Sequence, residues 1–199
     1  MGRRNDHSRE EIRQMALDAG TELLQQQGVA AVSARKVASR INYTVGTLYL
    51  VFENLDDLLL QINLRTLELM YDRLHQCVDA RQSPLDQLRK MAHVYLDFAR
   101  ENENRWRLVY ERESRLRNDT YEQYLEVSMA ILALVEQQLS RHASFGQEEL
   151  QKQARALWGG VHGICMLSLS GKLLHQDVPV EEILDLLINQ FIHGLSHNS

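Results

Sequence analysis

From Ser8 onward the apolar residues Ile12, Met15, Ala16, Ala19 and Leu23 recur at i, i+3, i+4, i+7 and i+11. That is one apolar stripe of an amphipathic helix. Ser8 and Glu11 form an S-x-x-E capping box at its start, and Gly28 stands where a glycine closes a helix, so a helix is predicted to about Gln27. Ser33 can cap a short second helix, Ala34 to about Ile41. Asn42-Tyr43 leaves room only for a tight turn, and asparagine tolerates the left-handed conformation such turns need. Thr44 can cap a third helix, in which Leu48, Tyr49, Leu50, Val51 and Phe52 crowd together behind Gly46. Asn54 can cap a fourth, with Asp56 and Asp57 in its first turn, where carboxylates favour the helix dipole. The fourth runs to about Ala80 and carries Leu58, Leu59, Ile62, Leu69 and Leu74.

Ser83-Pro84 opens a helix that continues to about Glu101. A short segment around Trp106 to Glu113 follows, then a helix from about Thr120 to Arg141, another from Gln147 to about Leu174, and a last one from Pro179 to near His193-Gly194. With 10 glycines and 2 prolines, breakers are few, and the pattern predicts an all-α chain. Three short N-terminal helices (1–53) would precede a larger helical body (54–199), joined through the fourth helix.

The net charge of −5 speaks against wholesale nucleic-acid binding and leaves room for a local basic face. Cys77 and Cys165 are far apart and suggest no disulfide framework, so a cytoplasmic chain is expected. No apolar run approaches the ~18 residues of a membrane helix. The opening residues have no apolar stretch behind their arginines, and no signal peptide is expected.

Two short capped helices about three residues apart, with a preceding helix to pack on, form a helix-turn-helix pattern. The third helix would read DNA, with Leu48 and Phe52 turned inward. Thr44, Val45, Gly46, Thr47, Tyr49 and Leu50 then lie around its remaining surface, and Gly46 permits close approach to a backbone. Arg35, Lys36 and Arg40 are the nearby cations, Ser33 belongs with them at the start of the second helix, and Arg3 and Arg4 lie on an N-terminal arm that can reach a groove.

The run VSARKVASRINYTVGTLYLVFENLDDLL resembles the DNA-binding unit of the TetR/AcrR family of bacterial transcriptional regulators, through Val37-Ala38, Gly46-Thr47-Leu48-Tyr49, Phe52 and Leu58-Leu59. It departs from the family pattern at Asn42, where glycine is usual, and at Leu50-Val51, where an aromatic or histidine is frequent. It also has Leu55 where a phosphate-binding lysine is common. Arg3, Arg4, Arg35, Lys36 and Arg40 must then supply most of the positive charge.

The stretch RALWGGVHGICMLSLSGKL carries Trp158, His162 and Gly163, which are similar to the tryptophan-histidine-glycine signature of a TetR subset. Gly159 and Gly163, four apart on a helix, suggest a close helix–helix approach. The resemblance implies a homodimer through the last two helices, a double-stranded DNA operator and an unknown small-molecule effector held in the body. Tyr71, His75, Tyr95, Phe98, Trp106, Tyr110, Tyr124, Met129, His162 and Met166 are the candidate lining, each also explicable as ordinary core. His162 and Cys165 share a face but are too few for a metal site, and no cofactor is expected. RWRLVYERESRLR, with its interleaved Glu111 and Glu113, reads as a solvated, salt-bridged face. No G-x-S-x-G, P-loop, H-E-x-x-H or C-x-x-C occurs, so no enzyme is expected. Two functions remain: a ligand-responsive repressor on a palindromic operator, and a protein-binding adaptor on the same fold, which Leu50-Val51 and Leu55 would favour.

Overall fold

The computed structural model describes residues 7–111, 114, 116–173 and 178–196. The helices are α1 (Arg9–Gln27), α2 (Ala34–Arg40), α3 (Val45–Leu48), α4 (Leu55–Cys77), α5 (Pro84–Glu101), α6 (Glu103–Glu111), α7 (Asp119–His142), α8 (Gln147–Leu169) and α9 (Val180–Ser196). No strand occurs among the described residues, so the chain is all-α. The chain forms two compact units: one runs to Leu67 and adds Asn102–Leu125, and the other comprises Glu68–Glu101 and the chain from Glu126 on. The units cut across chain order, so α4 and α7 each contribute to both.

In the first unit the capping box forms as its residues dictate. Glu11 N–H donates to Ser8 Oγ at 3.2 Å, and Ser8 N–H donates to Glu11 Oε2 at 2.7 Å. Burial of Ile12, Ala16, Leu23 and Leu24 against Val37, Leu48, Phe52, Leu58 and Ile62 makes one core for α1–α4, which Leu108 of α6 joins. Val29–Ala31 forms a single 3-10 turn that periodicity does not reveal. Asn42 takes φ 60°, the left-handed turn expected of it.

The third helix is shorter than its apolar crowding predicts. Regular α geometry ends at Leu48, and Leu50 N–H and Val51 N–H bond back to Thr47 O and Leu48 O at 3.1 Å. The next helix has to start at once: Asn54 Oδ1 accepts Asp57 N–H at 3.0 Å, and Asp57 accepts Glu53 N–H at 3.0 Å. The chain therefore tightens and reverses within Tyr49–Asn54, burying Val51 and Phe52 and leaving Tyr49 and Leu50 outside.

In the second unit α5, α8 and α9 pack together, with Leu96, Phe98, Cys165, Leu184 and Ile188 buried. The fourth helix stops at Cys77, short of Ala80, because a distant side chain ends it. Gln87, fully buried on α5, donates to Cys77 O at 3.1 Å and accepts Asp79 N–H at 2.8 Å. The eighth helix stops at Leu169 because Gly171, at φ 66°, makes a left-handed cap. The expected end at Leu174, the following break over 175–177 and Glu113 lie outside the described residues. Among the described residues of this chain nothing approaches Gly159 or Gly163: a Cβ at either meets nothing within 4 Å. Gly160 is closely approached, since a Cβ there would come within 2.9 Å of Leu187 Cδ2 on α9.

Candidate nucleic-acid interface and cavities

The reader is assembled by caps. Ser33 Oγ accepts Lys36 N–H at 3.3 Å and starts α2, whose Val37 and Ala38 are buried. Tyr43 N–H donates to Ala38 O at 2.9 Å across the turn. Thr44 Oγ1 accepts Thr47 N–H at 3.1 Å, and the two hydroxyls lie 2.9 Å apart. Both threonine hydroxyls are thus engaged locally. Thr44 and Gly46 are exposed, Val45 and Thr47 half-buried, Tyr49 is 47% exposed and Leu50 63%. Nothing crowds Gly46, where a Cβ would find only Thr44 Oγ1, at 3.6 Å.

Of the cations, Arg35 and Lys36 are exposed and have no ion-pair partner among the described residues. Arg40 instead pairs with Glu22 at 2.6 Å, which offsets much of its charge. Arg3 and Arg4 lie outside the described residues. The acidic start of α4 is less exposed than the sequence suggests. Asp57 is buried and holds Glu53 N–H and Gln61 Nε2, so its charge is spent on capping.

Arg105 corrects the expectation of a solvated basic face over 105–117. It is buried, and its Nε donates at 3.1 Å to Thr66 Oγ1, which itself donates to Ile62 O. Arg107 does form a surface pair, with Glu103 at 3.1 Å.

The ten candidate effector residues do not line one cavity. In the second unit an apolar cavity of about 50 Å³ is bounded by Tyr95, Trp158, Leu74, Met91, Ile131 and Val161. His162 stands behind it: Nδ1 lies 2.7 Å from Tyr95 Oη, and the imidazole stacks on Trp158 with centroids 5.1 Å apart. Tyr71 and His75 stack on each other, and Phe98 is fully buried beneath the Arg73 guanidinium. Met166 is half-buried, whereas Met129 is 58% exposed and borders neither this cavity nor the one beside Tyr124. Trp106 is core of the first unit, edge-on to Tyr110. Tyr110 and Tyr124 border a second cavity there, of about 300 Å³, together with Leu60, Asn63, Val109, Ser114 and Tyr121. Sequence reasoning missed Asn63 and Tyr121. The signal for Tyr121 was its i, i+3 spacing to Tyr124; Asn63 gave none, because its role comes from α6. Among the described residues no three His, Cys, Asp or Glu side chains cluster to hold a metal ion, and no helix is long and apolar enough to cross a membrane.

Burial holds His162 below the usual histidine range. Above a pH of about 6.5, the ordinary histidine value, both folded and unfolded chains carry it neutral, and it adds nothing to pH dependence. As pH falls, the unfolded chain takes up the proton first, so stability declines until the folded pKa is passed. Urea midpoints should therefore fall more steeply below pH 6.5 in the parent protein than in His162→Gln. Parallel slopes would contradict the buried, neutral imidazole.

A capped helix-turn-helix with an exposed third element, on an all-α body, defines a DNA-binding regulator. Comparison with known families agrees. A model described as "Bacterial regulatory proteins, tetR family" matches residues 16–62, and one described as "Tetracyclin repressor-like, C-terminal domain" matches residues 88–191, over half of the chain. The chain belongs to the TetR family of bacterial transcriptional regulators. It is 25% identical over 185 residues to the uncharacterized HTH-type transcriptional regulator YobS of Bacillus subtilis (strain 168), covering 93% of each chain. Among solved structures it is similar to a protein of unknown function from Rhodococcus sp. RHA1, with TM-score 0.76, 20% identity, and 97% and 98% of the two chains covered. A tetR-family transcriptional regulator from Streptomyces coelicolor gives TM-score 0.70 at 20% identity, with 94% of this chain and 82% of the other covered. At these identities the structures speak for the fold.

Proposed function

We propose that this protein is a ligand-responsive transcriptional repressor that binds a palindromic operator as a homodimer. DNA contact is assigned to residues 1–53, and effector binding and dimerisation to 54–199. The observation that carries the reading is the reader itself, where capped α2 and α3 leave Arg35, Lys36, Thr44, Gly46, Tyr49 and Leu50 exposed. Ser33, Val45 and Thr47 complete the proposed contact surface, to which Arg3 and Arg4, outside the described residues, are added for their charge. The open space at Gly159 and Gly163 on α8 supports a second copy packing there, with α9 beside it. An effector shifts the equilibrium between reader orientations by its differential affinity for them, with α4 as the lever because it belongs to both units. The site of action is the cytoplasm.

The chemistry of the reader says what it reads. No Arg, Lys, Asn or Gln occurs between Thr44 and Val51, so the bidentate contacts that distinguish guanine and adenine are absent from that stretch. With its threonine hydroxyls engaged, it offers methyl groups, Val45, Tyr49 and Leu50 to thymine methyls. The test is a salt titration of binding to DNA flanking the protein's own gene, against a scrambled duplex. Sequence-dependent affinity that falls with salt is expected. Replacing thymine by uracil in the half-sites should weaken binding about fourfold per methyl contacted, from about 0.8 kcal/mol per buried methyl.

The exposure of Leu50 favours one other reading, a protein-binding adaptor. No preference over scrambled DNA at low salt would install that reading instead.

A further inference from the structure

We propose that the cavity between α4, α6 and α7 in the first unit binds an uncharged, planar, largely apolar molecule that carries a hydroxyl or N–H donor. The inference rests on the ligand-responsive reading above, for which this cavity is the effector site.

Size selects it. The cavity holds about 300 Å³, against about 50 Å³ for the one beside Tyr95 and Trp158. Small-molecule sites begin near 300 Å³.

The lining then sets the ligand's chemistry. Leu60, Val109, Tyr110, Tyr121 and Tyr124 give apolar and aromatic walls, and the Tyr121 and Tyr124 rings stack at 18° with centroids 6.1 Å apart. Such a wall favours a flat ring. Ser114 and Asn63 also line it, and Asn63, 5% exposed, is the buried polar anchor. Its Nδ2 donates to Leu108 O at 3.3 Å, which fixes the amide orientation and leaves Oδ1 without a partner among the described residues. A buried acceptor without a donor is costly, and a ligand hydroxyl or N–H supplies the missing bond. No formally charged residue borders the cavity among those described, and burial pushes the Tyr124 phenol up, so it stays neutral. Against this described lining an ion entering would lose its hydration and meet no counter-charge. Asp56 borders a recess of about 10 Å³ that shares Leu60 and Asn63, which makes a cationic ligand the competing chemistry.

The same residues connect the cavity to the reader. Leu108, whose carbonyl Asn63 holds, buries its side chain in the α1–α4 core, and Leu58, Leu59 and Ile62 of that core neighbour Leu60 and Asn63 on α4. A ligand bonded to Asn63 therefore acts on two helices that carry the reader's packing.

The experiment uses the full chain and four naphthalene probes: β-naphthol, its methyl ether, naphthoate and naphthylmethylammonium. Calorimetry measures binding, and fluorescence anisotropy measures release of operator DNA. β-Naphthol is expected to bind one site per chain about tenfold more tightly than the methyl ether, which has no donor. The two ions are expected not to bind. In Asn63→Leu the preference for the naphthol over the ether should vanish while the ether still binds. Should that variant fail to fold, the naphthol-to-ether ratio in the parent protein still decides, and Tyr121→Leu should weaken both probes together. The proposal is overturned if no probe binds, if the ammonium binds tightest, or if the preference survives Asn63→Leu. Binding with the expected pattern but no release of DNA supports the ligand class and instead removes the ligand-responsive reading.

Discussion

Replacing Arg35 and Lys36 together by glutamate is expected to abolish specific DNA binding while leaving the fold intact. Both side chains are exposed, and neither has an ion-pair partner among the described residues, so the fold loses little. The DNA complex loses two cations and gains two anions beside phosphates. Each phosphate contact removed should flatten the plot of log affinity against log salt by about 0.9. With hydrogen bonds to charged groups worth about 1.5–3 kcal/mol each, a loss of at least about a hundredfold follows. The control is Arg81→Glu with Lys90→Glu, two exposed positions of the second unit with the same change in net charge. If the control weakens binding equally, net charge governs the interaction and the assignment of α2 to the phosphates fails.

The second large effect is expected from Phe52→Ala. Phe52 is 2% exposed in the α1–α4 core, with the Arg13 guanidinium over its ring, 5.4 Å from the centroid. Removing a buried phenylalanine side chain costs about 3–5 kcal/mol, a large part of the roughly 5–15 kcal/mol that holds a domain. Urea denaturation followed by circular dichroism should show that loss, and DNA binding should go with it. Leu50→Ala, two residues earlier, should do the reverse. Leu50 is 63% exposed, so stability should move by less than about 0.5 kcal/mol while affinity for the operator falls. A Phe52→Ala protein as stable as its parent would show that the reader's core lies elsewhere.

That pair of neighbours shows how far periodicity reaches. Leu48 and Phe52 are four apart, and their shared inward face was legible. Tyr49 and Leu50 remained as the outward residues, and they are outward in the structure. The same counting extended α3 through Phe52, and there it failed. What ends α3 is the start of α4, through Asn54 and Asp57, a competition between two local signals that a residue-by-residue pattern does not rank. The effector candidates were scattered over both units for a related reason. Aromatic residues on amphipathic helices are recognisable, but whether Trp106 fills a core, Tyr124 borders a cavity or Met129 faces outward depends on which helix lies opposite.

The sequence by itself determined the all-α class, the capped starts at Ser8, Ser33, Thr44, Asn54 and Ser83, the left-handed turn at Asn42, and the inward Leu48 and Phe52 against the outward Tyr49 and Leu50. These are properties of a few consecutive residues: a side-chain oxygen three positions before an amide, or a turn that needs a particular φ. Tertiary structure alone decided that Gln87 ends α4 at Cys77, that Arg40 is tied to Glu22, and that Asn63 faces a cavity with its side-chain oxygen unmet among the described residues. Each of those pairs is separated by ten or more residues, or depends on empty space, and the local pattern of a chain carries no record of what folding places beside it.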